Sequence, residues 1–252
     1  MEGKRAIQKI IKLAYMSAFL KNEKPLSLML IAPPEQSKTH YLMSFKTRYA
    51  HISTDLSYFG LIDILMKNQK IKHIVIPDFL KVTEKNQNTK RNIISSLNAY
   101  LEEGIFSVNL ANMQKIDLKG RTGGLITATT KSSFFQNKRT WNGMGFKSRF
   151  IICSWEYSDK TIDELLTKIS KQETTKNGKQ ETLNYTQKYI KIKPDVYQQL
   201  HNLADRSPRK LKNLKVFCKA LALYNNKTEV GEEEINEIKE LNKYMNLRFN
   251  KI

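Results

Sequence analysis

Cysteine, carboxylates and long apolar runs are all scarce in this chain. The two cysteines among 252 residues, Cys153 and Cys218, make neither a disulfide framework nor a zinc-ligand pattern. A reducing compartment, the cytoplasm, is therefore expected. The opening M-E-G-K-R-A-I-Q-K-I lacks an apolar core, so no secretory leader is expected. No segment approaches the roughly 20 apolar residues of a membrane span, and no membrane partner is expected. Four histidines, at 40, 51, 73 and 201, fall in no H-E-x-x-H or other metal spacing. No recognisable serine or cysteine nucleophile arrangement occurs.

What is abundant is positive charge. Lys and Arg number 43 against 24 Asp and Glu, a net +19. A surplus of that size attracts polyanions, nucleic acid first. Drift toward Lys and Asn would also make a basic protein, but drift would spread the charge evenly. Residues 111–150 instead hold eight basic residues against Asp117, and 184–219 hold nine against Asp195 and Asp205. Residues 229–240 hold six glutamates and one lysine. The unevenness points to a basic face.

Periodicity organises the chain. Ile7, Ile10, Ile11, Ala14 and Ala18 repeat at helical spacing across 4–20. L-S-L-M-L-I-A (26–32), Y-A-H-I-S (49–53) and I-K-H-I-V-I (71–76) read as strands, with helices over 37–46 and 58–67. A helix carrying Ile93, Ile94, Leu97, Tyr100 and Leu101 ends at Gly104. A β-hairpin over about 105–120, turning at A-N-M-Q, precedes two buried strands, 123–130 and 149–155. Strands alternating with helices imply an α/β domain with a parallel sheet, placed at 1–157. A connecting helix and polar loop span 158–184. A helical domain covers 185–252, with helices opened by Pro194 and Pro208 and a third marked by Ile235, Ile238 and Leu241. Trp141, Trp155, Phe134 and Phe135 read as packing residues.

The first strand runs into A-P-P-E-Q-S-K-T: Ala32, Pro33, Pro34, Glu35, Gln36, Ser37, Lys38 and Thr39. Strand, tight loop and helix carrying Lys-Thr is the layout of a phosphate-binding loop. Backbone N–H groups cradle phosphates, the lysine neutralises their charge and the hydroxyl binds Mg²⁺. The glycines of G-P-P-G-T-G-K-T are missing. Ala32 and Ser37 are small, whereas Glu35 sets a Cβ and a negative charge beside an anion.

From here the chain resembles an AAA+ ATPase module over nearly its whole length, with degenerate Walker A and Walker B motifs. It is most similar to the branch with a hairpin before the sensor-1 strand, the minichromosome-maintenance and MoxR-type proteins. L-N-A-Y-L-E-E-G-I-F-S-V (97–108) resembles that branch's helix and first hairpin strand. L-I-T-A-T-T (125–130) resembles the sensor-1 strand, with Thr129 and Thr130 both candidates for the polar residue near the γ-phosphate. G-F-K-S-R-F (145–150) resembles the arginine-finger segment, with Arg149 in that role. S-P-R-K-L-K-N-L (207–214) resembles the start of a helical lid, with Arg209 as sensor 2.

The resemblance implies a three-layer α/β/α P-loop domain followed by a small all-α lid. It implies ATP and Mg²⁺ as cofactors and a ring or filament in which the arginine finger serves the neighbouring site. The departure is I-V-I-P-D-F (74–79), where the family has two acids in succession. In one register Asp78 orders Mg²⁺ with Thr39 and Phe79 replaces the general base. In the other Pro77 replaces the metal residue and Asp78 is the base. One acid is lost either way, a change that costs about 10²–10⁴ in rate. Hence ATP binding with slow hydrolysis is expected, in a DNA-associated oligomer of the helicase, loader or replication type. Lys115, Lys119 and Arg121 on the hairpin are the expected backbone contacts to DNA. No accessory domain is evident, so a partner protein is expected to supply recognition. A silent AAA+ scaffold and a MoxR-type protein remodeller are the alternative readings.

Overall fold

The computed structural model describes residues 2–109, 115–170 and 180–245. The amphipathic amino-terminal stretch forms α1 (Glu2–Met16), tightened by a 3-10 turn over Ser17–Phe19. There follow β1 (Leu28–Ile31), α2 (Lys38–Met43), β2 (Phe45–Lys46), β3 (Ala50–Ile52), α3 (Tyr58–Lys67) and β4 (His73–Ile76). Next come α4 (Leu80–Thr83) and α5 (Gln87–Asn98), the latter continued by a π-helical turn over Ala99–Glu103. The hairpin strands are β5 (Ile105–Asn109) and β6 (Lys115–Arg121); the A-N-M-Q turn expected at 111–114 lies outside the described residues. Then follow β7 (Gly124–Thr129), α6 (Lys131–Gly143), β8 (Ile151–Ser154) and α7 (Asp159–Ser170). The carboxy-terminal part holds β9 (Glu181–Thr182), β10 (Lys191–Ile192), α8 (Tyr197–Ala204), α9 (Pro208–Tyr224), β11 (Glu229–Val230) and α10 (Glu232–Leu241).

Side-chain caps explain several helix starts. Ser57 accepts from Gly60 N, Asn86 from Thr89 N, Thr130 from Ser133 N and Ser207 from Lys210 N. Each satisfies a first-turn donor that the helix cannot bond itself. Pro208 adds a φ already suited to a first helical residue.

Five parallel strands form the central sheet in the order β3-β4-β7-β1-β8. Strand side chains alternate between two apolar clusters. Leu28, Leu30, Val75, Ile126, Ala128, Ile151 and Cys153 face α1, α2 and the carboxy-terminal helices. Met29, Ile31, Ile74, Ile76, Leu125 and Ile152 face α3, α5 and α6. The chain is thus an α/β fold with helices on both faces of a parallel sheet, and apolar residues on both faces explain the continuous apolar runs of its strands. The carboxy-terminal helices belong to the first cluster through Phe217, Leu221 and Ile238, which bury against the same core as Ile10 and Tyr15.

Both cysteines are buried free thiols. Trp141 and Phe134 are buried in the second cluster, Trp155 in the first, and Phe135 is 43% exposed. Among the described residues no helix is long and apolar enough to cross a membrane.

Candidate functional site

Because all five strands are parallel, their carboxyl ends share one edge, where ligands bind in open α/β sheets. Residues 32–39 leave that edge from β1, the strand between β7 and β8. Ala32 is fully buried, and its N–H donates to Thr129 O at 3.5 Å. On the far side of β7, Phe79 N donates to Ala128 O at 2.8 Å. These bonds set the loop of residues 32–39, the end of β7 and the Asp78 segment side by side.

Two residues of the loop take a backbone that glycine adopts freely. Glu35 has φ +60° and Ser37 φ +55°, both in the left-handed region. An L residue there is disfavoured by roughly 1–2 kcal/mol. The conformation is held from outside the loop: Gln36 is buried and its Oε1 accepts from Tyr157 N at 2.7 Å. Tyr157 Oη lies 2.8 Å from Tyr41 Oη on α2, locking loop and helix together. Sequence reading missed this brace, because nothing in the sequence signals that residues 121 positions apart pair.

Lys38 Nζ donates to Ala32 O at 2.9 Å and to Pro33 O. Desolvation pushes its pKa below the usual lysine value, opposed by the negative charge of Asp78. Asp78 is half-buried, and its Oδ1 accepts from Leu80 N at 3.0 Å. Phe79 is fully buried and stacks on Phe146 with centroids 5.6 Å apart. Position 79 therefore belongs to the aromatic core, leaving Pro77 and Asp78 at the sheet edge.

Of the two sensor candidates, Thr130 uses its hydroxyl as the cap of α6, at 3.2 Å from Ser133 N. Thr129 is 1% exposed, and its hydroxyl has no partner. Thr127, two residues earlier on the same face, donates to Ile76 O at 2.7 Å.

Arg149 and Arg209 lie elsewhere. Arg149 closes a 3-10 turn two residues before β8 and so sits at the amino end of the sheet. The carboxylate of Glu102 joins the two: Arg209 Nη2 reaches Oε1 at 2.8 Å and Oε2 at 2.6 Å, and Arg149 Nε reaches Oε2 at 3.1 Å. Arg209 Nη1 also donates to Ser148 Oγ at 2.5 Å. Partial burial favours a protonated Glu102, but the hydrogen bonds and charge of Arg209, with Arg149 and Lys24, outweigh it and hold the pKa below 4.5. The structure thus brings Arg209 to Arg149 at the edge opposite residues 32–39, not to the phosphate loop as a sensor-2 role in the same subunit requires. A cleft of about 350 Å³ beside the pair is lined by Lys24, Ser27, Lys212 and Lys215 among others.

Lys115 and Lys119 are exposed on the hairpin. Arg121 is not available in the same way. Its guanidinium donates to Leu65 O, to Asn68 O at 3.2 Å, to Gln69 O at 3.0 Å and to Ile71 O at 2.9 Å. It satisfies carbonyls at and beyond the end of α3, an internal task for a cation expected to meet DNA.

The donor set suits Mg²⁺ only as a shared ligand. Among the described residues no cluster of three or more His, Cys, Asp or Glu could hold a metal. Thr39 is exposed and Asp78 half-buried; one hydroxyl and one carboxylate are what Mg²⁺ takes when phosphates and waters complete its shell. Glu84, the nearest acid downstream, is exposed at the end of α4. No family model matches the chain, and no curated protein is significantly similar to it.

Proposed function

We propose that this protein is an AAA+-type, P-loop nucleotide-binding protein that takes ATP with Mg²⁺ at residues 32–39 and acts on DNA as an oligomer. The observation that carries the reading is the left-handed backbone at Glu35 and Ser37. Strained backbone of this kind concentrates at ligand-binding loops, and here two such positions fall within three residues of one loop. Lys38 and Asp78 supply the complementary charges, and Thr39 with Asp78 would share the Mg²⁺. Bound Mg²⁺ would neutralise charge on the transferring phosphoryl group. Lys38 would exchange its loop carbonyls for phosphate oxygens. Arg149, with Arg209 tied to it through Glu102, would serve a neighbour's site, since cations placed there stabilise the spread charge of phosphoryl transfer.

Asp78 is the one acid of segment 74–79, so hydrolysis is slow in this reading. The burial of Phe79 favours a second reading, a nucleotide-responsive scaffold with no useful turnover. Calorimetry with Mg-ATP, on the wild type and on Lys38→Ala, tests nucleotide binding. Wild-type heat and a loss of at least about tenfold in the variant are expected, since the lysine's charge is removed from the phosphates. Absence of wild-type heat would remove the nucleotide reading. ATP turnover with and without DNA, compared with Asp78→Ala, separates enzyme from scaffold.

A further inference from the structure

We propose that a carboxylate-free groove at the amino end of the sheet binds the phosphate backbone of single-stranded nucleic acid. The proposal deepens the DNA reading above and rests on it. The groove has a volume of about 360 Å³ and is lined by Arg48, Tyr49, Gln69, Lys70, Lys72 and Gln187. Three of the six lining residues are cations and none is acidic.

The cations are held in place by the protein rather than scattered over it. Tyr49 is 8% exposed, and its ring gathers two of them: the Arg48 guanidinium at 5.0 Å and Lys72 Nζ at 5.6 Å from the centroid. Arg48 Nη2 also donates to Tyr49 Oη at 3.0 Å. Lys72 Nζ donates to Ala18 O at 2.9 Å, and burial pulls its pKa down. The turn supplying Gln69 and Lys70 is clamped by Arg121, which bonds Asn68 O, Gln69 O and Ile71 O. Arg121 thus contributes to nucleic-acid binding by positioning a turn.

Some cations elsewhere are neutralised in place. Lys9 pairs with Glu237, Lys12 with Glu181, Lys85 with Asp55 and Lys219 with Glu23. Among the described residues, Arg48, Lys70 and Lys72 make no ion pair with a carboxylate. Arg48 and the partly desolvated Lys72 converging on one ring, with exposed Lys70 beside them and no counter-charge, make a site for an external anion. A flexible single strand can turn its backbone into so local a cleft, whereas a duplex is stiff over about 150 bp. The hairpin adjoins it, because Arg121 closes β6 two residues after the exposed Lys119. A strand contacting Lys115 and Lys119 would continue into the groove, the way positively charged tracks follow a single-stranded backbone.

The test uses the full chain and a fluorescein-labelled dT20 oligonucleotide, with anisotropy titrations between 50 and 200 mM salt. The double variant Arg48→Ala/Lys70→Ala leaves Lys72 and its bond to Ala18 intact, and melting temperature checks its folding. The expected result is an unchanged melting temperature, an affinity lowered roughly tenfold at low salt, and a log–log salt slope reduced by about 1.4 for two lost contacts. Lys115→Ala/Lys119→Ala is expected to weaken binding independently. Unchanged affinity and slope in the groove variant, with the hairpin variant impaired, would overturn the groove and leave the DNA reading standing. No wild-type binding to dT20 or to a duplex would overturn both. A duplex bound more tightly than dT20, or equal affinity for dT5 and dT20, would overturn the single-strand backbone assignment.

Discussion

Glu35 shows how a residue can obey a loop's shape while opposing its chemistry. Its φ of +60° is the conformation glycine adopts freely, yet it adds a negative charge to a loop proposed to hold phosphates. Glu35→Gly is expected to tighten Mg-ATP binding and raise stability by about 0.5–1 kcal/mol, because relief of left-handed strain exceeds the added entropy of an unfolded glycine. Calorimetry and a urea midpoint read the two effects separately. His73 carries a different residue-scale consequence. It is fully buried on β4, its Nε2–H donating to Leu26 O at 3.0 Å, and burial depresses its pKa from 6.5 to about 4. Above pH 6.5 the ring is neutral folded or unfolded and costs nothing. Below pH 6.5 the unfolded chain takes up a proton that the folded chain refuses, so stability falls until about pH 4, by on the order of 3 kcal/mol. Urea midpoints at pH 7 and pH 4.5 should show that loss in the wild type and a flatter profile in His73→Gln. Neither the strain at 35 nor the burial of 73 is legible in the letters, since both follow from neighbours distant in sequence.

Elements were far more legible than individual roles. The strands expected at 26–32, 49–53, 71–76, 123–130 and 149–155 form as β1, β3, β4, β7 and β8, each two or three residues shorter. Their apolar runs sit between two helical layers and need no polar alternation. Helix α6 was not anticipated: its thirteen residues include three basic ones, and its apolar residues make a weak stripe. What fixes it is the Thr130 cap and the burial of Phe134 and Trp141. The hairpin depends on its base. Gly104 has φ +91°, and a Cβ there would stand 2.5 Å from Gly120 O. Gly104→Ala is therefore expected to cost about 2–4 kcal/mol by combining overpacking with a forbidden φ. Gly143→Ala, with nothing within 4 Å of the added carbon, should be neutral or slightly stabilising, because alanine suits a helix better. Chemical denaturation of the two variants checks both.

The whole molecule divides its chemistry between the two ends of one parallel sheet. The carboxyl end holds residues 32–39, Asp78 and Thr129. The amino end holds Arg149 and Arg209 on Glu102, and the cations around Tyr49. If residues 32–39 hold a nucleotide as proposed, an arginine at the amino end reaches only a neighbour's site. Arg149→Ala is thus expected to bind nucleotide as the wild type does while losing turnover, and mixing it with Lys38→Ala should restore part of that turnover in mixed oligomers. A steady-state ATPase assay of the mixture reads this, and no recovery would count against action across an interface. The five strands of the central sheet, the strand–loop–helix layout around residues 32–39 and the positive surplus were determined by sequence alone, because periodicity, turn residues and charge are local properties that survive without neighbours. Which cations face outward was decided only in three dimensions. Arg121 is consumed by the carbonyls that follow α3 and Arg209 is drawn to Glu102, whereas Arg48 and Lys72 converge on Tyr49. Those outcomes depend on where distant segments come to rest, and packing against the two faces of the sheet sets that.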